Sequence, residues 1–401
     1  MNIPEGSIPS SLAHATGFRF LAARDDSAEL DQTIGRDCGV TLCEARPRGV
    51  NEPTALAVRG TAEILRMVEQ ATPRDVVLCL LSGGSSALLC APVSWLSLET
   101  KVAITRALSS RGAGINELNA VRRCLSNVKG GGLARRCRAG RLITLVISDV
   151  MGDPLEIIGS GPTVIEPKPD RTLAADILER FVPGEFNTVV SRLREASSPG
   201  NSSSGNLGQN FVLANNLSAV EGAKREAERL GYRVRVESCI EGEGSTDGVA
   251  ERLVSNLVAD LISKDANTDG LVSGGEPTVV LPDSAVRGRG GRNQHLVLSV
   301  AKSLASEPDC RALLQSLIEE RASMVFVSGG TDGEDGASDA AGAWIDGEWI
   351  RANANRLDWM KDGLRRCDSN TLFRETGHTI ETGATHTNVC DLRVLLYKLH
   401  G

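Results

Sequence analysis

Three Ser-Gly-Gly segments in this chain each follow an apolar run, and their residue types suit the binding of an anion. They begin at Ser82, Ser273 and Ser328. Glycine lets backbone N–H groups approach a ligand closely, and consecutive N–H groups form a concavity that holds anions. Open α/β sheets bind ligands at the carboxyl ends of their parallel strands. We therefore expect a site at such ends, with contacts from Ser82, Gly83, Gly84, Ser85, Gly274, Glu276, Gly329 and Thr331.

Two arginine-containing segments could grip the same kind of anion. The first contains Arg122, Lys129 and Gly130, and the second contains Arg289, Arg292 and Asn293. Guanidinium and ammonium groups hold phosphate or carboxylate through charge-assisted hydrogen bonds. A helix that begins near the end of the second segment would add its N-terminal N–H donors. The alternatives are a solvated basic helix face for the first segment, a flexible hairpin tip for the second and a tight capped turn for Ser82–Ser85.

Acidic residues follow two further apolar runs. Ser148 and Asp149 follow the run 141–147, and Asp153 lies four residues beyond Asp149. A carboxylate at a strand end suits a general base or a Mg²⁺ ligand, although a turn-capping aspartate is the commoner fate. Asp332 and Asp335 follow the third Ser-Gly-Gly segment and suit a hydrated Mg²⁺ ion, with an acidic surface loop as the alternative.

The segment around His386 and Asn388 adds hydroxyl groups beside one histidine, which could contact a substrate or serve the structure alone. The chain lacks the G-x-x-x-x-G-K-[ST] phosphate loop, and its closest approach to G-x-G-x-x-G fails at Asn293. From the residues alone, we interpret the chain as an α/β enzyme that handles a phosphorylated or carboxylate ligand, with Mg²⁺.

The elements that position these residues are readable from hydrophobic periodicity. We predict helices over 54–70, from Ser97 to Gly112, over 217–230 and from about Asn293. Strands are predicted over 76–81, 141–147, 211–214 and 232–236, and the first two read as buried parallel strands. Alternation of strands and helices in both halves predicts α/β layers with parallel or mixed sheets. Residues 1–38 read as a poorly ordered leader, and 196–209 as a small, uncharged linker.

Composition narrows the class of protein. The net charge of −7 argues against a broad nucleic-acid-binding surface, which needs positive charge. Ten cysteines without zinc-site spacing fit a reducing compartment. No apolar run is long enough for a membrane span or a signal peptide. We expect a cytoplasmic protein, with a mitochondrial one as the alternative because Arg19 and Arg24 make the leader faintly transit-like.

These segments together resemble the glycerate kinase family that ends in a MOFRL domain, the class II glycerate 2-kinases. The resemblance covers roughly residues 39–400 in the family's order. It rests on LLSGGSSALL, INELNAVRRCLSNVKGGGLA, LVISDVMGDPLEIIGSGPTV, SGGEPTVVL, GRGGRNQHLVLSVA, SGGTDGEDGASDAAGAW and THTNVCDLRVLL. It implies ATP-dependent phosphorylation of D-glycerate at the 2-hydroxyl with Mg²⁺. It also implies two α/β domains, 39–195 and 210–401, with the MOFRL domain at about 270–395 and the active site in the cleft between them.

In this reading Asp149 takes the hydroxyl proton, and Arg289 and Arg292 offset charge on the transferring group or hold the glycerate carboxylate. Asp332 or Asp335 holds Mg²⁺. Family members usually carry an upstream strand and a Gly-Lys-Ala loop, whereas residues 1–38 lack lysine and the first lysine is Lys101. Three alternatives therefore stay open: an N-terminally truncated or weakened relative, an inactive ligand-binding protein and a hydroxypyruvate reductase. A homo-oligomer is also an open expectation.

Overall fold

The structure is a computed structural model. It describes residues 20–25, 40–46, 52–165, 167–195, 208–239, 242–263, 268–319 and 321–399. The chain divides into two compact units. Unit 1 comprises Met1–Ile147 and Asp153–Leu213, and unit 2 comprises Ser148–Gly152 and Ala214–Gly401. Both units combine helices with parallel or mixed sheets, which confirms the predicted α/β class. Among the described residues, no helix has the length and apolar character to cross a lipid bilayer.

Unit 1 contains two small sheets and seven helices within its described residues. Strands β1 and β2 pair in parallel, and β3, β4 and β5 form a second sheet in which β3 and β4 are parallel. In chain order the elements are β1 Phe20–Asp25, β2 Val40–Arg46, α1 Ala55–Gln70, β3 Val76–Leu81, α2 Ser85–Leu88, α3 Leu98–Ser110, α4 Ile115–Cys124, α5 Gly132–Arg136, β4 Arg141–Ile147, α6 Arg171–Phe181, α7 Asn187–Glu195 and β5 Gln209–Ala214.

Several of these bounds confirm the sequence predictions. Helix α1 begins after Thr54, whose side chain accepts a hydrogen bond from the backbone N–H of Ala57, and α3 begins after Ser97 in the same way. The interval 1–38 contains the strand β1, which the sequence pattern did not predict, and the rest of that interval lies outside the described residues. Most of the predicted linker also lies outside them, and β5 begins at its last residue.

The prediction that β3 is buried on both faces is wrong for the described part of unit 1. One face of its sheet packs on α1 and α5, where Val68, Leu133 and Leu142 form a buried cluster. On the opposite face the alternate residues Val76, Leu78 and Leu80 are 60%, 54% and 44% exposed. The apolar run gave no sign of this, because a strand covered on one face and a strand covered on both can have the same composition.

Unit 2 is built on one six-stranded sheet in the order β10-β9-β8-β11-β7-β6. Its described elements are α8 Asn216–Arg229, β6 Val234–Glu237, α9 Thr246–Ser263, β7 Gly270–Gly275, α10 Arg292–Ser306, α11 Arg311–Ile318, β8 Ala322–Gly330, β9 Gly342–Asp346, α12 Gly347–Asn353, α13 Leu357–Arg366, α14 Ser369–Thr376, β10 Thr379–Ile380 and β11 Asp391–Leu399. The predicted helices near 217–230 and from about Asn293 are confirmed as α8 and α10. The core packs α9 and α10 on the sheet, and α10 is buried on nearly all sides, including its polar residues Asn293, Gln294 and His295.

The last strand of the chain separates the second and third Ser-Gly-Gly segments. Strand β11 is antiparallel to both β7 and β8 and lies between them. Gly275 at the end of β7 and Gly330 at the end of β8 therefore both lie opposite Asp391, the first residue of β11. The two segments meet at one end of the sheet, where they form the last residues of β7 and β8. The anionic residue that lies between the two segments is Asp391.

The glycines of β7 are explained by buried polar side chains that press against the strand. A Cβ atom on Gly274 would lie 1.9 Å from Oδ1 of Asn216, and one on Gly275 would lie 2.0 Å from a carboxylate oxygen of Glu243. Asn216 in turn donates hydrogen bonds to the carbonyl oxygens of Val389 and Asp391. Glycine at these positions makes room for the side chains that anchor α8 and the start of β11.

This packing predicts unequal effects for two matched glycine substitutions. Gly274→Ala forces Asn216 out of place and should lower the free energy of unfolding by about 2 kcal/mol, within the range for overpacked cores. Gly329→Ala places its Cβ 3.5 Å from the nearest atom, which is ordinary contact, and should change stability little. Urea denaturation of both variants measures the difference, and equal losses would contradict this account of the Ser-Gly-Gly segments.

Candidate active site

The sheet edge of unit 2 contains an ion pair between Asp391 and Arg292. Asp391 is fully buried, and its carboxylate accepts two hydrogen bonds from the Arg292 guanidinium, at 2.7 and 3.0 Å. Asn293 donates a third at 3.0 Å through its side-chain amide. Arg292 is the first residue of α10, so this pair fixes the start of the helix to the start of β11. A two-pronged guanidinium–carboxylate contact also fixes the guanidinium plane.

Asp335 caps the same helix from the loop after β8. Its two carboxylate oxygens accept the backbone N–H groups of Asn293 and Gln294, each at 2.9 Å, and their side-chain amides. The Ser328 hydroxyl donates to Oδ1 of Asn293 at 2.6 Å. The residues Asn293 and Asp335, predicted as a ligand contact and a metal ligand, thus hold α10 to β8.

Electrostatic repulsion acts among four carboxylates near this end of the sheet, those of Asp149, Glu276, Asp332 and Asp391. Burial raises the pKa of Asp149, and the nearby Asp332 raises it further. Burial also raises the pKa of Glu276, to which Asp391 and Asp149 contribute, although Arg292 opposes the shift through a 2.8 Å hydrogen bond. A desolvated carboxylate with a raised pKa is a stronger proton acceptor than an ordinary aspartate. Asp149 therefore has the electrostatic surroundings of a general base.

A loop before β11 is tied to the loop after β8 through Thr331. The Thr331 hydroxyl donates to the carbonyl oxygen of Cys390 at 2.7 Å and accepts from the backbone N–H of Val389 at 2.8 Å. Asn388 accepts from the backbone N–H of Cys390. His386 and Cys390 have positive φ angles of 60° and 66°, a conformation that non-glycine residues adopt only where the surroundings enforce it. Thr331 and Asn388 hold this loop, and His386 is exposed on it.

Arg289 and Arg292, which the segment's pattern predicts to hold one anion, have different carboxylate partners in the chain. The side chain of Arg289 is 55% exposed and pairs with Asp339 at 3.4 Å. Its backbone N–H donates to Asp368 at 2.9 Å, so α14 and the loop after β8 hold it. The glycines between the two arginines explain the separation, because Gly290 has a φ of 144° and Gly291 lies against Asp335.

The first Ser-Gly-Gly segment forms the predicted turn in unit 1. Ser82 and Gly83 follow β3, and Gly84 has a φ of 81° at the start of the short helix α2. The backbone N–H of Ser85 donates to the carbonyl oxygen of Ser82, and those of residues 87 and 88 bond to Gly84. This turn lies beside Gly159, where a Cβ atom would come within 2.8 Å of the Ser85 hydroxyl oxygen.

Lys129 ties that turn to a second glycine-rich loop. Its ammonium group is buried and donates to the carbonyl oxygens of Ser86 at 2.9 Å and Gly159 at 3.1 Å. The backbone N–H of Gly130 donates to Ser160, so this glycine joins the two loops. Arg122, predicted to contact the same ligand, is half-buried on α4. The two predicted aspartates belong to different units, Asp153 to unit 1 and Asp149 to unit 2.

The predicted Mg²⁺ site fits the structure in part. Both oxygens of Asp335 already accept two hydrogen bonds each, which fills their lone pairs and leaves no position for a cation. Asp332 accepts one backbone hydrogen bond, from Glu334 at 3.0 Å, and retains a second oxygen. Within the described residues no group of three or more His, Cys, Asp or Glu side chains is arranged to hold a metal. Asp332 alone fits the usual pattern of Mg²⁺, which takes one or two carboxylates plus substrate phosphates.

Two charged residues that the sequence pattern does not predict as functional, Asp391 and Lys101, are buried beside residues that it does. Asp391 pairs with Arg292, and Lys101 is buried on α3 near Lys129. Asp391 precedes the apolar run of β11, which is the same signal that drew attention to Asp149 at the other end of a strand. Lys101 lies within an amphipathic helix, where a lysine normally faces solvent, so its burial had no local signal.

Comparisons with known proteins agree with this architecture. A domain of unknown function, DUF4147, matches residues 22–193, and the MOFRL family matches residues 270–391. Glycerate kinase of Macaca fascicularis is 35% identical over 394 residues, or 87% of this chain and 95% of that protein. A protein of Agrobacterium vitis, provisionally named hydroxypyruvate reductase, is 35% identical over 86% of this chain and 85% of its own.

The crystal structure of glycerate kinase from Thermotoga maritima superposes with a TM-score of 0.75 at 28% identity, covering 94% of this chain and 84% of that one. The first family match begins at residue 22, inside the interval predicted as a leader, and the second lies within unit 2. Since the similarity to the Macaca enzyme runs through both units, this chain belongs to the glycerate kinase family and carries a MOFRL family domain.

Proposed function

We propose that this chain is a glycerate 2-kinase, which transfers the γ-phosphoryl group of ATP to the 2-hydroxyl of D-glycerate and releases ADP. The observation that carries the proposal is the 35% identity to a glycerate kinase over 95% of that protein's length. The charged groups described above support it, because phosphoryl transfer depends on positioning and charge neutralisation more than on covalent catalysis.

Asp149 is the residue best suited to accept the proton of the reacting hydroxyl. It lies two residues after the end of β4, and both burial and Asp332 raise its pKa. As the hydroxyl oxygen forms its bond to phosphorus, the O–H bond breaks and the proton passes to the carboxylate. The bond from the γ-phosphorus to the bridging oxygen of ADP breaks, and ADP leaves with that electron pair.

The arginines and the cation complete the assignment. Arg292, held by Asp391, presents a guanidinium of fixed orientation that offsets anionic charge. The Arg289 side chain is 55% exposed, and an anionic ligand group would compete with Asp339 for it. Asp332 would hold Mg²⁺ together with the nucleotide phosphates. When bound, that ion neutralises charge on the phosphate chain. We also propose a cytoplasmic location and a homo-oligomer, whose state can be measured by light scattering.

Hydroxypyruvate reductase remains the second candidate because a relative of similar identity carries that name. The chain has no complete dinucleotide-binding fingerprint, which weighs against it. An oxidation assay with NADH or NADPH and hydroxypyruvate tests it directly, and turnover there without ATP consumption would replace the kinase proposal.

The kinase proposal predicts ADP release that requires D-glycerate. The purified chain, supplied with Mg²⁺ and ATP, should form 2-phosphoglycerate, identified by ³¹P and ¹H NMR against the 3-phosphate isomer. L-Glycerate serves as the matched control substrate. A folded protein that binds ATP or glycerate without turnover would favour the ligand-binding alternative.

The role of Asp149 predicts a specific pH dependence. Because its pKa is raised, kcat should fall as the pH falls through a midpoint above the ordinary aspartate value of 3.8. Asp149→Asn should lower kcat about 10²- to 10⁴-fold at neutral pH and remove that acidic limb. Glu334→Gln changes an exposed acid on the neighbouring loop and should retain the limb. Unchanged turnover in Asp149→Asn would exclude it as the base.

The buried ion pair between Asp391 and Arg292 predicts that two aspartates which contact arginine contribute unequally to the stability of the protein. Asp391→Asn leaves Arg292 without its buried counter-charge and should cost about 3–5 kcal/mol of stability in urea denaturation, with a lower kcat/KM. Asp339→Asn breaks contacts at 3.4 Å to two arginines, but its side chain is 73% exposed, so the cost should stay below about 1 kcal/mol. Comparable losses would show that the buried pair has no special role.

A further inference from the structure

Unit 1 contains a pocket of about 220 Å³ that is lined by three cationic side chains. Lys101 comes from α3, Arg122 from α4 and Lys129 from the turn that precedes α5. The two lysines are only 4% and 2% exposed. Lysine is almost never this deeply buried unless a partner compensates its charge.

The hydrogen bonds of the two ammonium groups leave donors unused within the described residues. Lys129 donates to two carbonyl oxygens, those of Ser86 and Gly159, and Lys101 donates to one, that of Leu125 at 3.0 Å. An ammonium group has three N–H donors, so one donor of Lys129 and two of Lys101 have no acceptor in the contacts described. Arg122 forms no hydrogen bond or ion pair with any side chain that the structure describes.

Among the described residues that line the pocket, no acidic side chain is available to neutralise these cations. Glu52 lines the pocket, but Arg106 already binds it in an ion pair that lowers its pKa. Cys90 also lines it, and burial raises the pKa of its thiol, which therefore stays uncharged near neutral pH. Lys101, Arg122 and Lys129 consequently form an excess of positive charge in a desolvated place.

This excess affects the protonation of the lysines. Burial lowers the pKa of Lys101 to about 8. Burial, and then repulsion from Lys101, lowers the pKa of Lys129 to about 7, with Arg122 acting in the same direction. A bound anion would favour the charged forms and raise both pKa values.

We propose that this pocket binds an oxyanion group, a carboxylate or a phosphate, through Lys101, Arg122 and Lys129. Its volume suits a small hydroxy acid or one phosphate group of a larger ligand, and is below the range for drug-sized ligands. The inference deepens the proposed kinase function, on which it rests for the two sources of the anion, glycerate and the nucleotide. It assigns a binding role to Lys101, the first lysine of the chain.

Binding should be coupled to proton uptake. At pH 8 the free pocket holds Lys129 largely neutral and Lys101 about half charged, so an anion should bind with a net gain of protons. At pH 6 both lysines are already charged, and uptake should approach zero. Sulfate and D-glycerate are suitable probes because neither titrates in this range.

Titration calorimetry of the full chain in buffers of different ionisation enthalpy measures that uptake. We expect uptake at pH 8 for sulfate, and Lys101→Met, Lys129→Met and Arg122→Met should each weaken its binding about tenfold or more. Lys168→Met removes an exposed lysine of the same unit and should leave the affinity unchanged. Unchanged affinity in Lys101→Met and Arg122→Met, or wild-type binding without proton uptake at pH 8, would overturn the inference.

Two further measurements distinguish glycerate from the nucleotide as the source of the anion, and distinguish failure of the pocket from failure of the proposed kinase function. If the variants weaken D-glycerate but not a non-hydrolysable ATP analogue, the pocket holds the carboxylate, and the reverse result assigns it to phosphate. If Lys129→Met fails to fold, the half-buried Arg122 still supplies the test. Absence of kinase turnover in the wild type would defeat the proposed function alone, since sulfate binding tests the pocket independently.

Discussion

The buried carboxylate of Asp391 is the constraint on which the arrangement of unit 2 depends. A carboxylate removed from water requires a counter-charge and hydrogen-bond donors, and Arg292 and Asn293 supply both. These donors lie at the start of α10, so satisfying Asp391 fixes the position of that helix on the sheet. Asp335 then satisfies the free backbone N–H groups of the same helix end. The geometry of Arg292 follows from this chain of requirements.

The glycines beside Asp391 follow from the same constraint. Asn216 bonds the carbonyl oxygen of Asp391 and fits only because Gly274 has no side chain. Arg393, two residues along β11, is also buried and forms a two-pronged pair with Glu243, which lies against Gly275. Asn216 from α8 and Glu243 from the segment between β6 and α9 thus take the space that larger residues on β7 would fill. The glycines of the Ser-Gly-Gly segment in β7 are therefore explained by the packing of polar side chains against that strand.

The sequence predicted the elements well and their assembly less well, for identifiable reasons. Helices α1 and α10 and strands β3 and β4 follow from local periodicity and capping, which any short window contains. The insertion of β11 between β7 and β8 is a contact between segments far apart in the chain, so no local window contains it.

The same limit applies to the candidate site. Asp149 could be identified because its position after an apolar run is a local feature. The cap formed by Asp335 and the separation of Arg289 from Arg292 depend on the path of loops that bring distant residues together. The burial of Lys101 depends on α4 and on the turn at Lys129. The local sequence of an amphipathic helix does not predict that burial.

The two units carry charge of opposite sign in desolvated places, and this difference bears on how a phosphoryl-transfer enzyme can bind its ligands. In unit 1, Lys101 and Lys129 have lowered pKa values and no acidic partner among the residues that the structure describes. In unit 2, the carboxylates Asp149 and Glu276 have raised pKa values. Each arrangement costs folding free energy in the absence of ligand, because like charges are held together away from water. An anion relieves the first cost, and a proton or cation relieves the second. The free energy recovered in this way favours ligand binding without any new contact being formed elsewhere, so the stability of each unit should depend on a ligand of opposite charge.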